Sequence, residues 1–241
     1  IPLIIFVREE RPAAGEKRLS MIRAGLSELR NTFGEIRKLR HIFLFLLAYW
    51  FYIDGVDTVV RMAVDYGLSI GLDSSDLMLA LLVTQLIGFP SALAFGFIGR
   101  KIGARRGIYI AIAVYLMVSV GASFMTRREE FFILASVVGL VQGGIQALSR
   151  SFFAGMIPSG KSAEYFGFYN LIGKFAAVIG PGLMGMVALL ASRAGAGGML
   201  PTRISIASIS ILFIAGGIIF HFVDREKARR ETAQAAQKRS G

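Results

Sequence analysis

The chain has 241 residues, 54% of them hydrophobic, and a formal net charge of +11. Because soluble domains are less apolar, this composition indicates an integral membrane protein. The absence of cysteine excludes disulfides and thiolate metal sites, and with two histidines in the whole chain we expect no metal and no cofactor. The basic residues flank apolar segments and do not form one basic face, so the charge indicates membrane topology and argues against nucleic acid as a partner.

An apolar stretch over residues 1–7 opens the chain, and charged residues follow at 8–12. A secretory signal would need a basic start and a longer apolar region, so we expect residues 1–12 to be the end of a preceding membrane helix and the chain to be a fragment. In residues 13–41, which are polar and basic, apolar residues recur every three or four positions, which predicts an amphipathic cytoplasmic linker helix. This helix lies either on anionic lipid headgroups or against the protein.

Six apolar segments then follow, with lengths close to the ~20 residues that a helix needs to cross a bilayer core. They are predicted at residues 42–64, 76–98, 107–125, 131–149, 165–190 and 204–223. The predicted fold class is therefore all-α integral membrane, with a six-helix transmembrane bundle over 42–223. In the fifth segment, Gly180-Pro181-Gly182 predicts a kink, because proline removes a backbone donor and glycine permits the bend. Residues 224–241 are charged and rich in Ala and Gln, which predicts a cytoplasmic tail whose helix end frays into disorder.

The distribution of lysine and arginine predicts the orientation of the bundle. Basic residues are concentrated in the segments on one side of the six spans, which are residues 13–41, 99–106, 150–161 and 224–241. The loops on the opposite side contain fewer, which are Arg127, Arg128, Arg193 and Arg203. By the positive-inside rule we expect both ends of the chain in the cytoplasm, in a multi-pass protein of the bacterial cytoplasmic membrane.

The first span carries three ionisable residues, Asp54, Asp57 and Arg61. A charge at the bilayer centre costs about 2.5 to 3.5 kcal/mol on insertion scales, so it persists there when it is paired or faces a polar cavity. The spacing i, i+3 and i+7 puts the three residues along one helical face, so we expect them to point together into the bundle interior. They are candidate substrate or coupling residues, and the alternative is a structural ion pair that locks helices together.

Other polar residues fall at a similar depth in neighbouring spans. Counted from the basic ends of their spans at ~1.5 Å per residue, Asp54, Gln142 and Lys174 lie roughly 12 to 18 Å into the membrane. Gln85 lies slightly further in. Lys174 is a candidate cavity cation that pairs with Asp54 or Asp57 or meets a substrate carboxylate, and the alternative is a lysine that snorkels to the interface.

The fourth span combines small and polar residues. Gly139 and Gly143 have the spacing of a small-residue pair that lets two membrane helices approach closely. Gln142 and Gln146 are one turn apart, and they either face a solute pathway or join helices by hydrogen bonds.

A short basic loop between the second and third spans contains Gly96, Arg100, Gly103, Arg105 and Arg106. The positive-inside rule alone accounts for its charges. Its glycine spacing resembles the loop motif that major facilitator superfamily carriers place between the second and third helix of each half. In that motif an acidic residue, which helps to latch one conformation, usually stands where this chain has Arg100.

Longer stretches resemble one family of that superfamily, the vacuole effluxers, whose namesake is an autophagy-linked vacuolar amino-acid exporter. The resemblance covers essentially the whole chain and rests on residues 52–56, 139–151, 166–169, 173–175 and 180–181. It implies that the six spans are helices seven to twelve of a twelve-helix carrier, so that an N-terminal six-helix half is the missing partner. It also implies that the first and fourth spans line the cavity, the second and fifth flank it, and the third and sixth face lipid. Ile53 and Asp57 stand where family members often have Asn and Gln.

The resemblance implies a secondary active transporter that works by alternating access and exports amino acids or similar small polar solutes across the lipid bilayer. We expect Asp54 or Asp57 to titrate, or to exchange an Arg61 or Lys174 partner for substrate, which would couple proton movement to transport. The rival hypothesis is a non-transporting membrane module, a helper subunit or scramblase-like protein, whose buried charges are structural. An enzyme is not expected, because no cluster of residues has metal-ligand spacing.

Overall fold

The computed structural model describes residues 27, 30, 32–158 and 160–240. In this part of the chain the regular structure is helical, with no strands, and residues 32–38 are helical before the first labelled helix. The labelled helices that follow are α1 Arg40–Ser69, α2 Ser74–Ile102, α3 Ala104–Phe124, α4 Arg128–Ala154, α5 Ser162–Phe175, α6 Ile179–Arg193, α7 Leu200–Ser208, α8 Ser210–His221 and α9 Arg225–Ser240. The predicted end of a preceding helix at 1–12 and most of the predicted amphipathic linker lie outside the described residues.

Six helical segments have the length and the apolar composition to cross a membrane, which confirms the predicted spans and the all-α membrane fold. Four of them are the single helices α1 to α4, while the fifth combines α5 with α6 and the sixth combines α7 with α8. The fourth span is one continuous helix although glutamines and glycines interrupt its apolar sequence. Neither residue type removes a backbone donor, so the hydrogen bonds of the helix stay complete inside the membrane.

The fifth span is broken near its middle. α5 ends at Phe175 and α6 begins at Ile179, so residues 176–178 lie outside regular helix. Pro181 explains the position, because proline has no N–H for the carbonyl four residues earlier and its ring crowds that carbonyl. The kink predicted at 180–182 is thus a complete break one turn nearer the start of the span.

α1 lies at the centre of the bundle and packs against α4, α5, α6 and α8. The largest side chains of the core are fully buried aromatics, namely Phe45, Tyr52, Tyr115, Phe153, Tyr165, Phe213 and Phe220. α3 and α8 contribute Tyr115 and Phe213, whose rings stack with centroids 5.3 Å apart. By contrast, α2 and α6 expose large apolar side chains, among them Leu82, Leu86, Phe89, Met186 and Leu190.

Glycines allow α2 and α4 to pack with their backbones close together. A Cβ atom at Gly139 would lie 2.7 Å from the carbonyl oxygen of Thr84, and one at Gly143 would lie 2.9 Å from the Cβ of Ala92. Both distances are shorter than van der Waals contact, so neither position has room for a side chain. The glycine pair of the fourth span therefore serves helix packing, as its spacing predicts.

A Gly139→Ala variant is expected to lower the melting temperature of the protein in detergent. The added methyl group overpacks a backbone contact, which costs about 1 to 3 kcal/mol and corresponds to a shift of roughly 3 to 10 °C in a chain of this size. Gly185→Ala, on α6, is the matched control because a Cβ there meets nothing within 4 Å. Equal shifts for the two variants would contradict the close approach of α2 and α4.

The basic tail forms a helix, so the prediction that it frays is wrong. Ala228 and Thr232 of α9 are buried. The Asp224 carboxylate accepts the N–H groups of Glu226 at 2.9 Å and Lys227 at 3.1 Å, which caps the first turn of α9. Nδ1 of His41, at the start of α1, accepts the N–H of Asp224 at 3.2 Å. The cap and the contact with α1 hold a charged helix that composition alone assigns to disorder.

The docking of α9 is expected to weaken at acidic pH. The hydrogen bond from the Lys227 backbone N–H holds the pKa of Asp224 below its usual range. A depressed pKa contributes stability that is present above the unfolded value of about 3.9 and is lost as the pH falls through the folded pKa. We therefore expect protection of residues 225–235 from hydrogen exchange, corrected for intrinsic rates, to fall below about pH 4. Asp224→Asn keeps a capping oxygen and should remove this pH dependence; an unchanged acid response in that variant would assign it to another group.

Candidate functional site

A fully buried carboxylate joins α1 to the broken span. Asp54, on α1, has no exposed surface. Its Oδ2 accepts the N–H of Ile179 at 3.0 Å, and its Oδ1 accepts the N–H of Gly180 at 3.0 Å. Thr58 Oγ1 donates to the same Oδ1 at 3.3 Å. Because Ile179 and Gly180 open α6, Asp54 caps the N-terminus of this half-helix, where the helix dipole favours a negative charge.

The helix break and the carboxylate stabilise each other. In a continuous fifth span the N–H groups of Ile179 and Gly180 would bond to carbonyls four residues earlier. The break frees both groups at a depth where an unsatisfied backbone group costs several kcal/mol. Both N–H groups donate to the Asp54 carboxylate, and these hydrogen bonds replace the ones that the charged carboxylate would form with water.

Gly180 is the residue that permits this contact. A Cβ atom at position 180 would collide with Thr58 Oγ1 and would lie 2.9 Å from Asp54 Oδ1. The start of α6 can therefore approach α1 closely enough for two backbone hydrogen bonds only where residue 180 has no side chain.

The predicted ion pairs of the membrane charges are not formed. In the described part of the chain no salt bridge includes Asp54, Asp57, Arg61 or Lys174. The prediction that the three charges of α1 all point into the interior is wrong for Arg61, which is exposed, while Asp57 is half-buried. Asp54 needs no cationic partner because backbone donors of α6 serve it, and the long stem of Arg61 carries its guanidinium to the surface.

The remaining predicted site residues lie at the surface of the described half. Lys174, in the last turn of α5, is exposed, as are Gln85 on α2 and Gln146 on α4, while Gln142 is half-buried. None of these four side chains donates or accepts a hydrogen bond within residues 32–158 and 160–235. The interhelical hydrogen bonds that were the alternative for the two glutamines of α4 are thus not formed here. The four side chains are available to another group, and their place in a solute pathway stays a prediction.

A cluster of tyrosines, which the sequence analysis missed, lies between Asp54 and the basic end of the bundle. The rings of Tyr49 and Tyr169 stack with centroids 4.2 Å apart, and Tyr52 packs edge-on against Tyr49. The Tyr52 hydroxyl shares a hydrogen bond of 2.7 Å with Ser149 Oγ of α4. The available signal was the spacing, because Tyr49 and Tyr52 precede Asp54 on neighbouring turns of the same helix. The cluster fills the bundle on the basic side of the carboxylate and connects α1, α4 and α5.

The basic loop motif is a one-residue turn with a helix cap. Gly103 alone separates α2 from α3, with φ +87° and ψ +143°, a conformation that is open to glycine and strained for other residues. Arg105 donates from Nη2 to the carbonyl of His221 at 2.8 Å, which caps the C-terminus of α8. Arg100 lies over the ring of Phe97 at 4.5 Å, while Gly96 and Arg106 are exposed.

The opposite end of α1 contains a Gly-x-Ser-x-Gly spacing, residues 67–71. In α/β-hydrolases this spacing forms a nucleophile elbow between a strand and a helix. Here it lies at the C-terminus of a helix, where Ser69 Oγ donates to the carbonyl of Tyr66 at 2.7 Å. The serine terminates a helix and has no base beside it in the described contacts.

The sequence profile described as "Vacuole effluxer Atg22 like" matches residues 1–233. The chain belongs to this Atg22-like family. Similar curated proteins include the "Uncharacterized MFS-type transporter YxiO" of Bacillus subtilis, 41% identical over 198 residues that cover 82% of this chain and 44% of that protein. "Autophagy-related protein 22-2" of Aspergillus clavatus is 29% identical over 63% of this chain and 27% of that protein. "Autophagy-related protein 22-1" of Aspergillus niger is 25% identical over 88% of this chain and 36% of that protein. The chain thus spans less than half the length of these relatives.

In this Atg22-like chain the site combines a titratable carboxylate with the helix terminus that it holds. The negative charge of Asp54 attracts the α6 N-terminus, and protonation would remove that attraction and one acceptor position. The released backbone N–H groups could then receive another anionic group, because a helix N-terminus is a ready anion site. The geometry can therefore convert a change of charge on α1 into a change in how α6 packs against it.

Proposed function

We propose that this chain is one six-helix half of a secondary active transporter, which works by alternating access and exports amino acids or similar small polar solutes with protons as the coupling ion. The observation that carries the proposal is the buried Asp54 carboxylate at the N-terminus of a broken membrane helix. Ionisable residues inside a membrane usually serve a transport pathway. Discontinuous helices whose half-helix ends meet charged groups are a recurring feature of secondary transporters.

The charges around the break suit a zwitterionic solute. Lys174 lies in the last turn before the break and is exposed, so it is available to a substrate carboxylate. Asp57, one turn from Asp54, is half-buried and offers a counter-charge to a substrate ammonium group. The choice of amino acids among zwitterions rests on the resemblance to the vacuole effluxers. The name of the Bacillus relative, an MFS-type transporter, supports transport as the activity.

The exposed apolar faces of α2 and α6 suit a second six-helix half as the partner of this one. Residues such as Leu86 and Phe89 on α2 and Met186 on α6 are more than 60% exposed, and they lie on the two spans that would flank a central cavity. We place both ends of this half in the cytoplasm of a bacterial cell, because the basic loops favour that side.

One observation favours the alternative, a membrane module that does not transport. Asp54 accepts three hydrogen bonds and needs no further partner, as expected of a purely structural cap. In such a module Lys174 and Asp57 would have no role, so their removal would leave every activity unchanged. The two hypotheses therefore differ most in Lys174 and Asp57, which form no salt bridge among the described residues.

The deciding experiment is counterflow of radiolabelled amino acids in proteoliposomes that contain the full-length protein. We expect uptake by the wild type and its loss in Lys174→Gln and Asp57→Asn, with folding verified by size-exclusion chromatography. Lys101→Gln and Asp65→Asn are the matched controls, since they remove the same charges at exposed positions near helix ends and should keep wild-type counterflow. Wild-type counterflow that survives both site substitutions would refute the proposed site, and its absence across a broad amino-acid panel would refute the substrate class.

A further inference from the structure

A cavity lies in the end of the bundle opposite the basic loops, away from Asp54. Its volume is about 90 Å³, and it is partly open to the surroundings. Five helices contribute to its wall, with Ala63 on α1, Leu81 on α2, Ala122 on α3, Leu134 on α4 and Ile206 on α7 as examples. Leu81 is 41% exposed, so one edge of the cavity reaches the surface of the bundle.

The wall of this cavity offers no free hydroxyl donor to a guest. Three lining residues carry hydroxyl groups, and each donates inside the protein. Tyr66 donates to the carbonyl of Ala122 at 2.7 Å, Thr84 to the carbonyl of Ala80 at 2.8 Å, and Ser119 to the carbonyl of Tyr115 at 2.9 Å. Water or a polar solute would lose hydrogen bonds on entering, whereas an apolar cavity of ~150 Å³ is known to stay dry and to take benzene. The smaller volume here suits a few carbons of one hydrocarbon chain.

An unsatisfied cation lies beside the cavity. Arg203 is one turn before the lining residue Ile206 on α7, and its charge acts on Tyr66 across the cavity wall. Its Nε is buried and has no hydrogen-bond partner among the described residues. Glu130, whose charge also acts on Tyr66, accepts the backbone N–H groups of Thr126 and Arg127, and no salt bridge among the described residues includes Arg203. A buried guanidinium nitrogen without an acceptor is costly, so an anion is expected to reach it.

We propose that this cavity and Arg203 together form a phospholipid site, in which part of one acyl chain enters the cavity and the lipid phosphate binds the Arg203 guanidinium. The two halves of the site match the two halves of the ligand, because a phospholipid supplies hydrocarbon and a phosphate on one molecule. With the basic loops in the cytoplasm, the lipid belongs to the outer leaflet. The site is separate from Asp54 and does not depend on the transported solute.

Photo-crosslinking can map this lipid directly on the wild-type protein. The full-length protein is reconstituted in vesicles of phosphatidylethanolamine and phosphatidylglycerol with a trace of phosphatidylglycerol that carries a diazirine part-way along one acyl chain. After irradiation, peptides are sequenced by mass spectrometry. We expect label on cavity residues such as Leu134 in excess over Met117 and Ile211, which are 64% and 55% exposed on the third and sixth spans and report ordinary lipid contact. Equal labelling of cavity and exposed positions would overturn the proposal without any variant.

Two substitutions separate the parts of the site. Ala63→Leu fills the cavity and Arg203→Gln removes the phosphate contact, a charged hydrogen bond whose loss corresponds to about tenfold or more in occupancy. Both should reduce cavity labelling, while Ala94→Leu, the same change at an exposed alanine of α2 outside the lining, should not. Cavity labelling that Arg203→Gln leaves unchanged would refute a phospholipid held by its phosphate. The wild-type map decides the proposal if either variant fails to fold.

Discussion

An Asp54→Asn variant of the full-length protein is expected to lose proton-driven accumulation of solute while it keeps counterflow. Counterflow exchanges labelled for unlabelled solute and needs no net proton movement, whereas accumulation in a pH gradient needs a group that takes up and releases a proton. Asparagine cannot titrate, but its carbonyl oxygen can still accept the N–H of Gly180, so α6 retains part of its cap. We expect accumulation to fall to the level of protein-free vesicles.

The measurement compares two assays on the same proteoliposomes, one with an imposed pH gradient and one with preloaded solute and no gradient. Asp65→Asn, on the same helix but exposed near its end, is the control and should behave as the wild type in both assays. Proton-driven accumulation that survives in Asp54→Asn would exclude this carboxylate as the coupling group. Loss of both activities in folded protein would mean that Asp54 is needed for transport as a whole and would not identify it as the coupling group.

The sequence predicted Asp54 as a site residue but not its partners, and the reason is physical. An acid inside a membrane span is costly wherever the fold puts it, so its importance can be recognised from one helix alone. Its partners are two backbone N–H groups 125 and 126 residues away, and they become free only because the fifth span breaks. Side-chain patterns do not record which backbone donors a helix break will release. The sequence therefore pointed to side-chain cations, Arg61 and Lys174, as partners of Asp54. Neither forms a salt bridge among the described residues.

The spans themselves were predictable because length and apolar composition decide them. Their internal breaks were predictable only in part. Pro181 is visible in the sequence and predicts a disturbance, but whether the helix bends or stops depends on whether something can satisfy the freed donors. Asp54 does so, and the helix stops. In the tail, composition predicted disorder where the structure has a helix. Hydrogen bonds of Asp224 and His41 hold α9, and a prediction from composition cannot include such contacts.

The tyrosine cluster was missed for a related reason. Aromatic residues in a membrane span are common, so Tyr49 and Tyr52 carry no signal in isolation. They become recognisable as a cluster only through their partners on two other helices, because Tyr49 stacks on Tyr169 of α5 and Tyr52 shares a hydrogen bond with Ser149 of α4. Together these contacts join α1, α4 and α5. In the proposed transporter this contact closes the basic side of the half beneath Asp54, so the carboxylate is separated from the cytoplasm in this conformation.

A Gly180→Ala variant is expected to destabilise the protein more than any other glycine substitution in α6. The new methyl group would collide with Thr58 and crowd the Asp54 carboxylate, which forces the start of α6 away from α1. Overpacking and weakened hydrogen bonds to a buried charge together lower the free energy of unfolding by about 2 to 5 kcal/mol. Thermal unfolding in detergent measures this loss.

Gly182→Ala, two residues along the same helix, is the matched control because a Cβ there meets nothing within 4 Å, and its effect should stay within about 0.5 kcal/mol. Thr58→Ala provides a second test, since it removes the hydroxyl that the new methyl would strike. In the double variant Thr58→Ala/Gly180→Ala the total loss should be smaller than the sum of the single losses, by about 0.5 to 3 kcal/mol, because the two residues share one contact. Strict additivity, or equal losses at positions 180 and 182, would mean that α6 does not begin against Asp54, and the proposed link between the charge of α1 and the movement of α6 would lose its basis.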